Sequence, residues 1–189
     1  MAHRLLFPCG RSLLLPVALL ALLFTFAHCQ KQDDDTPPPK ASPAAPDCCA
    51  LFPATGLKEG LGRLVVAFPE GAVPKETRVA ALKEGKEATS GHGSQQWELA
   101  AGSYDITISD KSLAGVAVQA GQETRVKVGV LHINADQRTR IELIDPANGK
   151  VLVSGHGERN YGLPIGPISV QVAGRSETVT IEEGKVTEF

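Results

Sequence analysis

Residues 90–108 read SGHGSQQWELAAGSYDITI, and residues 154–172 read SGHGERNYGLPIGPISVQV. The second stretch follows the first at a constant offset of 64 residues, which aligns Trp97 with Tyr161. A fixed internal period is the signature of a duplicated structural unit. The sequence therefore predicts two copies of one fold, placed one after the other along the chain.

Large apolar residues alternate with polar ones in both copies, which is typical of half-buried β-strands. Glycines at 121, 149 and 184 supply the positive φ angles that tight turns between strands require. No window shows the periodicity of an amphipathic helix, so the predicted class is all-β. The alternating apolar positions are Tyr104, Ile106 and Ile108 in the first copy and Ile168, Val170 and Val172 in the second.

The predicted units span residues 62–128 and 129–189. No linker separates them, because the apolar strand pattern runs unbroken from Val126 to Val130. One unit of about 60 residues buries only about 60% of the surface that its unfolded chain exposes, so a single copy is marginal. We therefore expect two tandem small β-sandwiches, held end to end as a short rod.

The N-terminal residues 1–29 have the pattern of a signal peptide. Arg4 and Arg11 precede an apolar run at residues 13–26, which is short for a transmembrane helix and typical of an export signal. Residues 30–61 are predicted to form a disordered, proline-rich tether, because residues 30–46 contain too few apolar side chains to fold.

The signal ends in Phe26-Ala27-His28-Cys29, which resembles a bacterial lipobox. This resemblance predicts lipidation of Cys29 and a membrane-anchored lipoprotein of the outer membrane, periplasm or cell surface. Cleavage without lipidation, giving a soluble secreted protein, is the first alternative. An uncleaved anchor is the second.

Cys48 and Cys49 are adjacent in the tether, just before the first repeat. Neighbouring cysteines can close only a strained ring, so the candidate disulfide from this pair joins two molecules or involves an unlipidated Cys29. Their spacing matches neither a zinc site nor a redox C-x-x-C motif. We predict no metal and no cofactor.

The charge balance argues against nucleic acid as a partner. Without Arg4 and Arg11, 17 of the 19 basic residues remain against 21 acidic ones, so the mature chain carries about four net negative charges. A weakly acidic domain lacks the basic surface that holds a polyanion.

Three segments carry a family resemblance: DPANGK at residues 145–150, LAAGSYDITI at 99–108 and GVAVQAGQET at 115–124. They resemble the tandem PEGA-like and carboxypeptidase-regulatory (transthyretin-like) β-sandwich repeats of bacterial envelope proteins, which often accompany von Willebrand factor A domains. The resemblance implies a β-sandwich fold and an envelope protein partner, with a von Willebrand factor A protein as one candidate. Such turn-and-strand motifs identify a fold better than a function.

Four residues are candidates for ligand binding: His92 and Trp97 in the first copy, and His156 and Tyr161 in the second. Each histidine stands between two glycines without a second ligand at metal spacing, which favours a tight turn over a metal site. The two aromatic residues suit either a platform for a sugar or peptide or a cap on each core, and core packing is favoured.

The sequence contains none of the G-x-S-x-G, H-E-x-x-H or P-loop signatures, so no catalytic residue is predicted and an enzyme is not expected. We expect a non-catalytic envelope module that acts as a spacer or as a docking surface for another protein. The alternative is a carbohydrate- or peptide-binding β-sandwich module.

Overall fold

The computed structural model describes residues 48–72 and 74–189, and every regular element in these ranges is a β-strand. The all-β class predicted from the alternating apolar residues is therefore confirmed. The described residues fall within one compact unit. The expected signal peptide 1–29, its lipidation site Cys29 and the first part of the expected tether lie outside the described residues.

The described strands follow one another with short connections. They are β1 (Cys49–Pro53), β2 (Leu61–Val66), β3 (Arg78–Lys83), β4 (Lys86–His92), β5 (Gln95–Ala100), β6 (Gly102–Ile108), β7 (Lys111–Val118), β8 (Gln122–Val126), β9 (Val128–Ile133), β10 (Arg140–Ile144), β11 (Val151–His156), β12 (Arg159–Pro164), β13 (Gly166–Val172), β14 (Arg175–Ile181) and β15 (Val186–Glu188).

These strands form four small sheets whose order recurs. The first two sheets have the orders β1-β8-β2-β5 and β4-β3-β6-β7, and the other two have the orders β15-β9-β12 and β11-β10-β13-β14. Except for β1, each strand of the first two sheets corresponds to the strand seven places later in chain order, which lies in one of the other two sheets. The parallel pairs β2–β8 and β9–β15 also correspond. We call strands β2 to β8 repeat 1 and strands β9 to β15 repeat 2.

Equivalent glycines show the same close approach in both repeats. A Cβ at Gly62 would lie 2.2 Å from the carbonyl oxygen of Gln119, and a Cβ at Gly129 would lie 2.3 Å from the carbonyl oxygen of Glu182. Real Cβ atoms do not approach this closely, so each repeat needs glycine where a turn crosses its first strand. The duplication therefore extends to local backbone packing as well as strand order.

Each pair of sheets contributes most of one hydrophobic core. The first core includes Leu64, Val79 and Ile106, and the second includes Leu131, Ile141 and Val170. The residues predicted to be buried are buried, except that Val172 is half-buried. Of the polar residues between these positions, which the alternation predicts to face water, Asp105 is exposed, whereas Thr107 and Gln171 are half-buried.

The structure differs from the predicted tether at its C-terminal end. Residues 49–53 form β1, which pairs antiparallel with β8 in register from Cys49 opposite Val126 to Pro53 opposite Gln122. The backbone groups along the edge of β8 need hydrogen-bond partners, and this short apolar run supplies them. Pro53 ends the strand, as expected for a residue without an N–H group. Cys48 and Cys49 pack against the first core.

Candidate functional site

Repeat 1 covers the edge of β12 with two hydroxyl groups. The Gly162 N–H donates a hydrogen bond to Thr77 Oγ1 over 2.9 Å, and Ser109 Oγ donates one to the Gly162 carbonyl oxygen over 2.8 Å. All three residues are buried. Because β12 lies at the edge of its sheet, these backbone groups would otherwise be buried without a partner. Repeat 1 thus completes the hydrogen bonding of repeat 2.

The same glycine makes an apolar contact with repeat 1 possible. A Cβ at Gly162 would lie 2.5 Å from Cε1 and Cζ of Phe68 and 2.8 Å from Cγ of Pro74. A glycine inside a strand commonly marks a close approach of this kind. We call the contact of Phe68, Pro74, Thr77 and Ser109 with Gly162 the junction.

Charged side chains surround the junction. Arg159 Nη1 lies 2.9 Å from Glu76 Oε2, and Lys111 Nζ donates a hydrogen bond to the Pro167 carbonyl oxygen over 3.1 Å. Burial lowers the pKa of Lys111, which the nearby carboxylate of Asp145 partly offsets. The Arg159–Glu76 pair is largely solvent-exposed, so it contributes little stability. The buried contacts at Gly162 are therefore the main source of stability at the junction.

An open groove of about 730 Å³ runs along the outside of the junction. Residues 74–76 of repeat 1 form one wall, and residues 135–137 and 156–160 of repeat 2 form the other. The lining includes cationic, acidic and amide side chains, so the groove suits a polar ligand better than an apolar one.

A smaller cavity of about 230 Å³ adjoins this groove and is also shared between the repeats. Tyr161, which is 6% exposed, forms part of its lining. Tyr161 Oη is buried and makes no hydrogen bond with the described residues, and burial raises its pKa. A buried hydroxyl normally has a partner. This hydroxyl is therefore a buried polar group whose hydrogen bonding the described residues leave unsatisfied.

The predicted ligand-binding residues divide between the repeats. His156 lines the groove and Tyr161 lines the smaller cavity. His92 is exposed at the end of β4, opposite Arg78, and lines neither. Trp97 is half-buried against the first core, opposite Leu64. The structure therefore separates the two histidine–aromatic pairs, although they align in sequence.

The described residues contain no group of three or more His, Cys, Asp or Glu side chains placed to hold a metal ion. The Sγ atoms of Cys48 and Cys49 lie 3.1 Å apart. This separation matches a thiol hydrogen bond and exceeds the roughly 2.05 Å of a covalent S–S bond. The two thiols are thus in contact and are not joined by a disulfide.

Sequence reasoning missed the residues that form the junction. Thr77 and Ser109 look like ordinary turn residues, and nothing in their neighbourhood indicates a contact with a distant strand. One signal was available at Gly162, because the aligned residue of the first copy is Glu98. A glycine that replaces a charged residue inside a predicted strand indicates close packing against that face.

Within the described ranges, the structure has no helix that is long and apolar enough to cross a membrane. No protein-family model matches the sequence. No curated protein matches it either.

Two solved structures are partly similar to this chain. The Bacillus anthracis TIE protein is 16% identical at a TM-score of 0.31, over 68% of this chain and 33% of that one. Fervidolysin from Fervidobacterium pennivorans, described as a keratinolytic enzyme related to subtilisin, is 15% identical at a TM-score of 0.25, over 66% of this chain and 29% of that one. This chain thus spans a third or less of each protein.

Proposed function

We propose that this chain is a non-catalytic module of the bacterial cell envelope, which serves as a spacer and docking surface for another envelope protein. In this proposal residues 1–29 direct export, Cys29 carries the lipid anchor and the following residues act as a tether. Each pair of sheets forms one small β-sandwich, and the two sandwiches stand in tandem. The motif resemblance to PEGA-like and transthyretin-like repeats supports this reading.

The junction is the observation that carries the proposal. Two hydrogen bonds and an apolar contact converge on Gly162, and all of the participating side chains come from repeat 1. Burying these groups opposes independent motion of the repeats, because separating them would expose the apolar contact of Phe68 and Pro74 to water and replace two buried hydrogen bonds with bonds to water. A stiff double module on a membrane tether suits the task of holding a partner at a set distance.

The groove beside the junction favours a second candidate function, the binding of a carbohydrate or peptide. His156 and Arg159 line this groove, and Tyr161 lines the adjoining cavity. Several hydrogen-bonding groups that converge on one concave surface are the usual features of a ligand site.

Membrane attachment is tested with Cys29→Ser in the native cell. An acyl anchor contributes about 0.8 kcal/mol per buried methylene group, so it resists extraction by salt. We expect Cys29→Ser to block processing or to release the protein from the membrane, whereas Cys48→Ser leaves attachment unchanged. Mass spectrometry that finds an unmodified N-terminus at His28 or Gln30 would overturn the lipoprotein proposal.

The docking role is tested by placing a photo-crosslinking amino acid at exposed positions of both repeats and irradiating intact cells. We expect a discrete adduct with one envelope protein, and the same adduct when His156 and Arg159 are both replaced by Ala. Loss of the adduct in that double variant would favour the ligand-binding function. A failure of every position to form a specific adduct would contradict docking.

A further inference from the structure

The two repeats differ at one sheet edge. In repeat 1, β1 pairs with the outer edge of β8, from Cys49 opposite Val126 to Pro53 opposite Gln122. The counterpart of β8 in repeat 2 is β15, which pairs with β9 on one side. Among the described strands, none occupies the other side of β15. Within residues 48–72 and 74–189, repeat 2 therefore leaves open the edge that repeat 1 has filled.

The hydrogen bonds of β15 show which backbone groups face this open edge. The carbonyl oxygen of Lys185 accepts from the Val130 N–H, and the Phe189 N–H donates to the carbonyl oxygen of His132, so these residues point towards β9. Successive residues of a strand direct their backbone groups to opposite sides. The N–H and C=O groups of Val186 and Glu188 therefore point outward.

The filled edge of repeat 1 confirms this assignment. Gly121 O accepts from the Ala54 N–H, and the Lys127 N–H donates to Cys48 O, so the odd-numbered residues of β8 face β1. The residues of β8 that face β1 within the pairing are thus Glu123 and Arg125. At the offset of 63 residues that aligns Thr124 with Thr187, they correspond to Val186 and Glu188.

We propose that another polypeptide docks on repeat 2 by adding an antiparallel strand to the outer edge of β15, in the place that β1 takes on β8. This inference rests on the docking role proposed above and names its mode. Backbone hydrogen bonds to an exposed edge supply affinity in such complexes, and alternate side chains supply specificity.

The residues of β15 specify the chemistry of the added strand. Phe52 is opposite Glu123 and Ala50 is opposite Arg125 in repeat 1. The corresponding positions of the added strand face Val186, which is 39% exposed, and Glu188. Val186 favours an apolar side chain and Glu188 a basic one, because cross-strand neighbours interact directly. The partner strand therefore carries a basic residue two positions before a large apolar residue.

A second copy of this chain fits the edge less well. Its β1 is already paired with its own β8, and the high effective concentration within one chain favours that pairing. If β15 paired antiparallel with β15 of another copy, so that all of their outward N–H and C=O groups formed hydrogen bonds, Val186 would lie opposite Glu188. That arrangement places an apolar side chain against a charge at both ends. We therefore assign the edge to a different polypeptide.

The experiment uses the exported protein and a synthetic peptide of residues 48–54, with both cysteines replaced by Ser and with Ala50→Lys. The matched control peptide carries Ala50→Glu instead. NMR-detected amide exchange follows Val186 and Glu188 during each titration, and the amides of Glu123 and Arg125 serve as the internal reference for an occupied edge. Exchange at Val186 and Glu188 should slow by about ten-fold at saturating peptide, as expected for amides that enter a ladder.

Charge exchange on the protein makes the test specific. The Ala50→Lys peptide should bind wild-type protein about two- to five-fold more tightly than the Ala50→Glu peptide, which is the range of an exposed cross-strand charge pair. Glu188→Lys should reverse this preference, and Val186→Pro should weaken both peptides because proline lacks the outward N–H. Since Val186→Pro can disturb the fold, Glu188→Lys provides the decisive comparison.

Three results would overturn the proposal. One is unchanged exchange at Val186 and Glu188 with saturating peptide, and another is a preference that Glu188→Lys does not reverse. The third is slow exchange at these amides that depends on protein concentration without peptide, which would identify a second copy as the occupant. If the peptide test fails while the cell-envelope crosslink persists, docking stands at another surface. If both fail, the proposed function falls as well.

Discussion

The outer faces of the sheets β8-β2-β5 and β15-β9-β12 occupy equivalent places in the two repeats, yet their side chains differ in kind. In repeat 1 one cross-strand row contains Glu123, Arg63 and Glu98. The corresponding row of repeat 2 contains Val186, Val130 and Gly162. A charged row has thus become a row of small apolar residues.

Pairing between opposite charges explains the charged row of repeat 1. Arg63 Nη1 lies 3.5 Å from Glu123 Oε2, and Arg63 Nη2 lies 3.8 Å from Glu98 Oε1. Arg125 Nε also donates a hydrogen bond to Glu123 Oε1. The hydrogen bond from Arg125, followed by the charge of that residue and the contact with Arg63, lowers the pKa of Glu123 against the opposing effect of burial. Arg125 also stacks over the ring of Phe52, 4.6 Å from its centroid. The side chain of Glu123 is only 11% exposed, so these pairings stabilise its charge where water is largely excluded.

The neighbouring repeat explains the apolar row. Val130 belongs to the core cluster of repeat 1 although it lies on β9, and Gly162 admits the ring of Phe68. A glutamate at Gly162, as at Glu98 of repeat 1, would bury a charge without a partner, which is costly. The two repeats therefore match at their core positions and differ on the face through which they contact each other.

The largest expected effect concerns the hydrophobic core, a feature that both repeats have. Ile106 is fully buried, so Ile106→Ala should lower the free energy of unfolding by about 2–5 kcal/mol, the usual cost of such a core truncation. Thr107→Ala, on the opposite face of the same strand, should change it by less than about 0.5 kcal/mol. Urea denaturation measures both. Equal effects would mean that the core and solvent faces of β6 are wrongly assigned.

Substitutions at two equivalent threonines should differ in their effect on stability, because only one of these residues lies at the junction. The carbonyl oxygens of Thr77 and Thr139 accept matching hydrogen bonds from Gly93 and Gly157, but the Thr77 hydroxyl also accepts from Gly162. Thr77→Val leaves a buried N–H without a partner and should cost about 1–3 kcal/mol. Thr139→Val should cost less than about 0.5 kcal/mol. Similar losses of unfolding free energy in the two variants would show that the contact with Gly162 adds no stability.

The charged row should make stability depend on pH through repeat 1. Because the pKa of Glu123 is lower in the folded protein, its contribution is present above the unfolded value of about 4.3 and is lost as the pH falls through the folded value. Glu123→Gln should remove about 0.5–1 kcal/mol of stability at neutral pH and flatten the acid limb of the stability curve. Thermal unfolding between neutral and acidic pH gives both curves. Parallel acid limbs would contradict the assignment.

The smallest effect is expected at the two equivalent histidines. His92 and His156 are both exposed beside turn glycines, so replacing both with Asn should change the unfolding free energy by less than about 0.5 kcal/mol. Isothermal titration with zinc or copper should give the same result before and after the change. A stoichiometric metal site that disappears in the double variant would show that these turns bind metal.

Local rules predicted the all-β class and the positions of several strands. Alternation at Tyr104, Ile106 and Ile108 was enough to place β6 and its buried face, because that pattern reflects the geometry of a single strand. The glycines at 121 and 184 have φ values of 72° and 67°, as their turns required. Such features depend on neighbouring residues alone, so a sequence reveals them.

Features that depend on distant partners were not predictable in this way. The strand β1 is a short apolar run whose structure comes from pairing with β8, some 70 residues further on. The junction was likewise not predictable, because the local sequence does not show which face of β12 packs against repeat 1. The open edge of β15 emerges only when the sheet order of the two repeats is compared.

The most direct test of the central claim, that β12 is docked on repeat 1, is the sign of the stability change in Gly162→Ala. Alanine in an open strand normally adds about 0.4–1 kcal/mol of stability, because it restricts the unfolded chain. Here its Cβ meets Phe68 at 2.5 Å, so we predict a loss of about 1–3 kcal/mol from overpacking. Glu98→Ala, at the equivalent position of repeat 1, should stay within about 0.5 kcal/mol of wild type. A Gly162→Ala variant that is as stable as wild type, or more stable, would contradict the account.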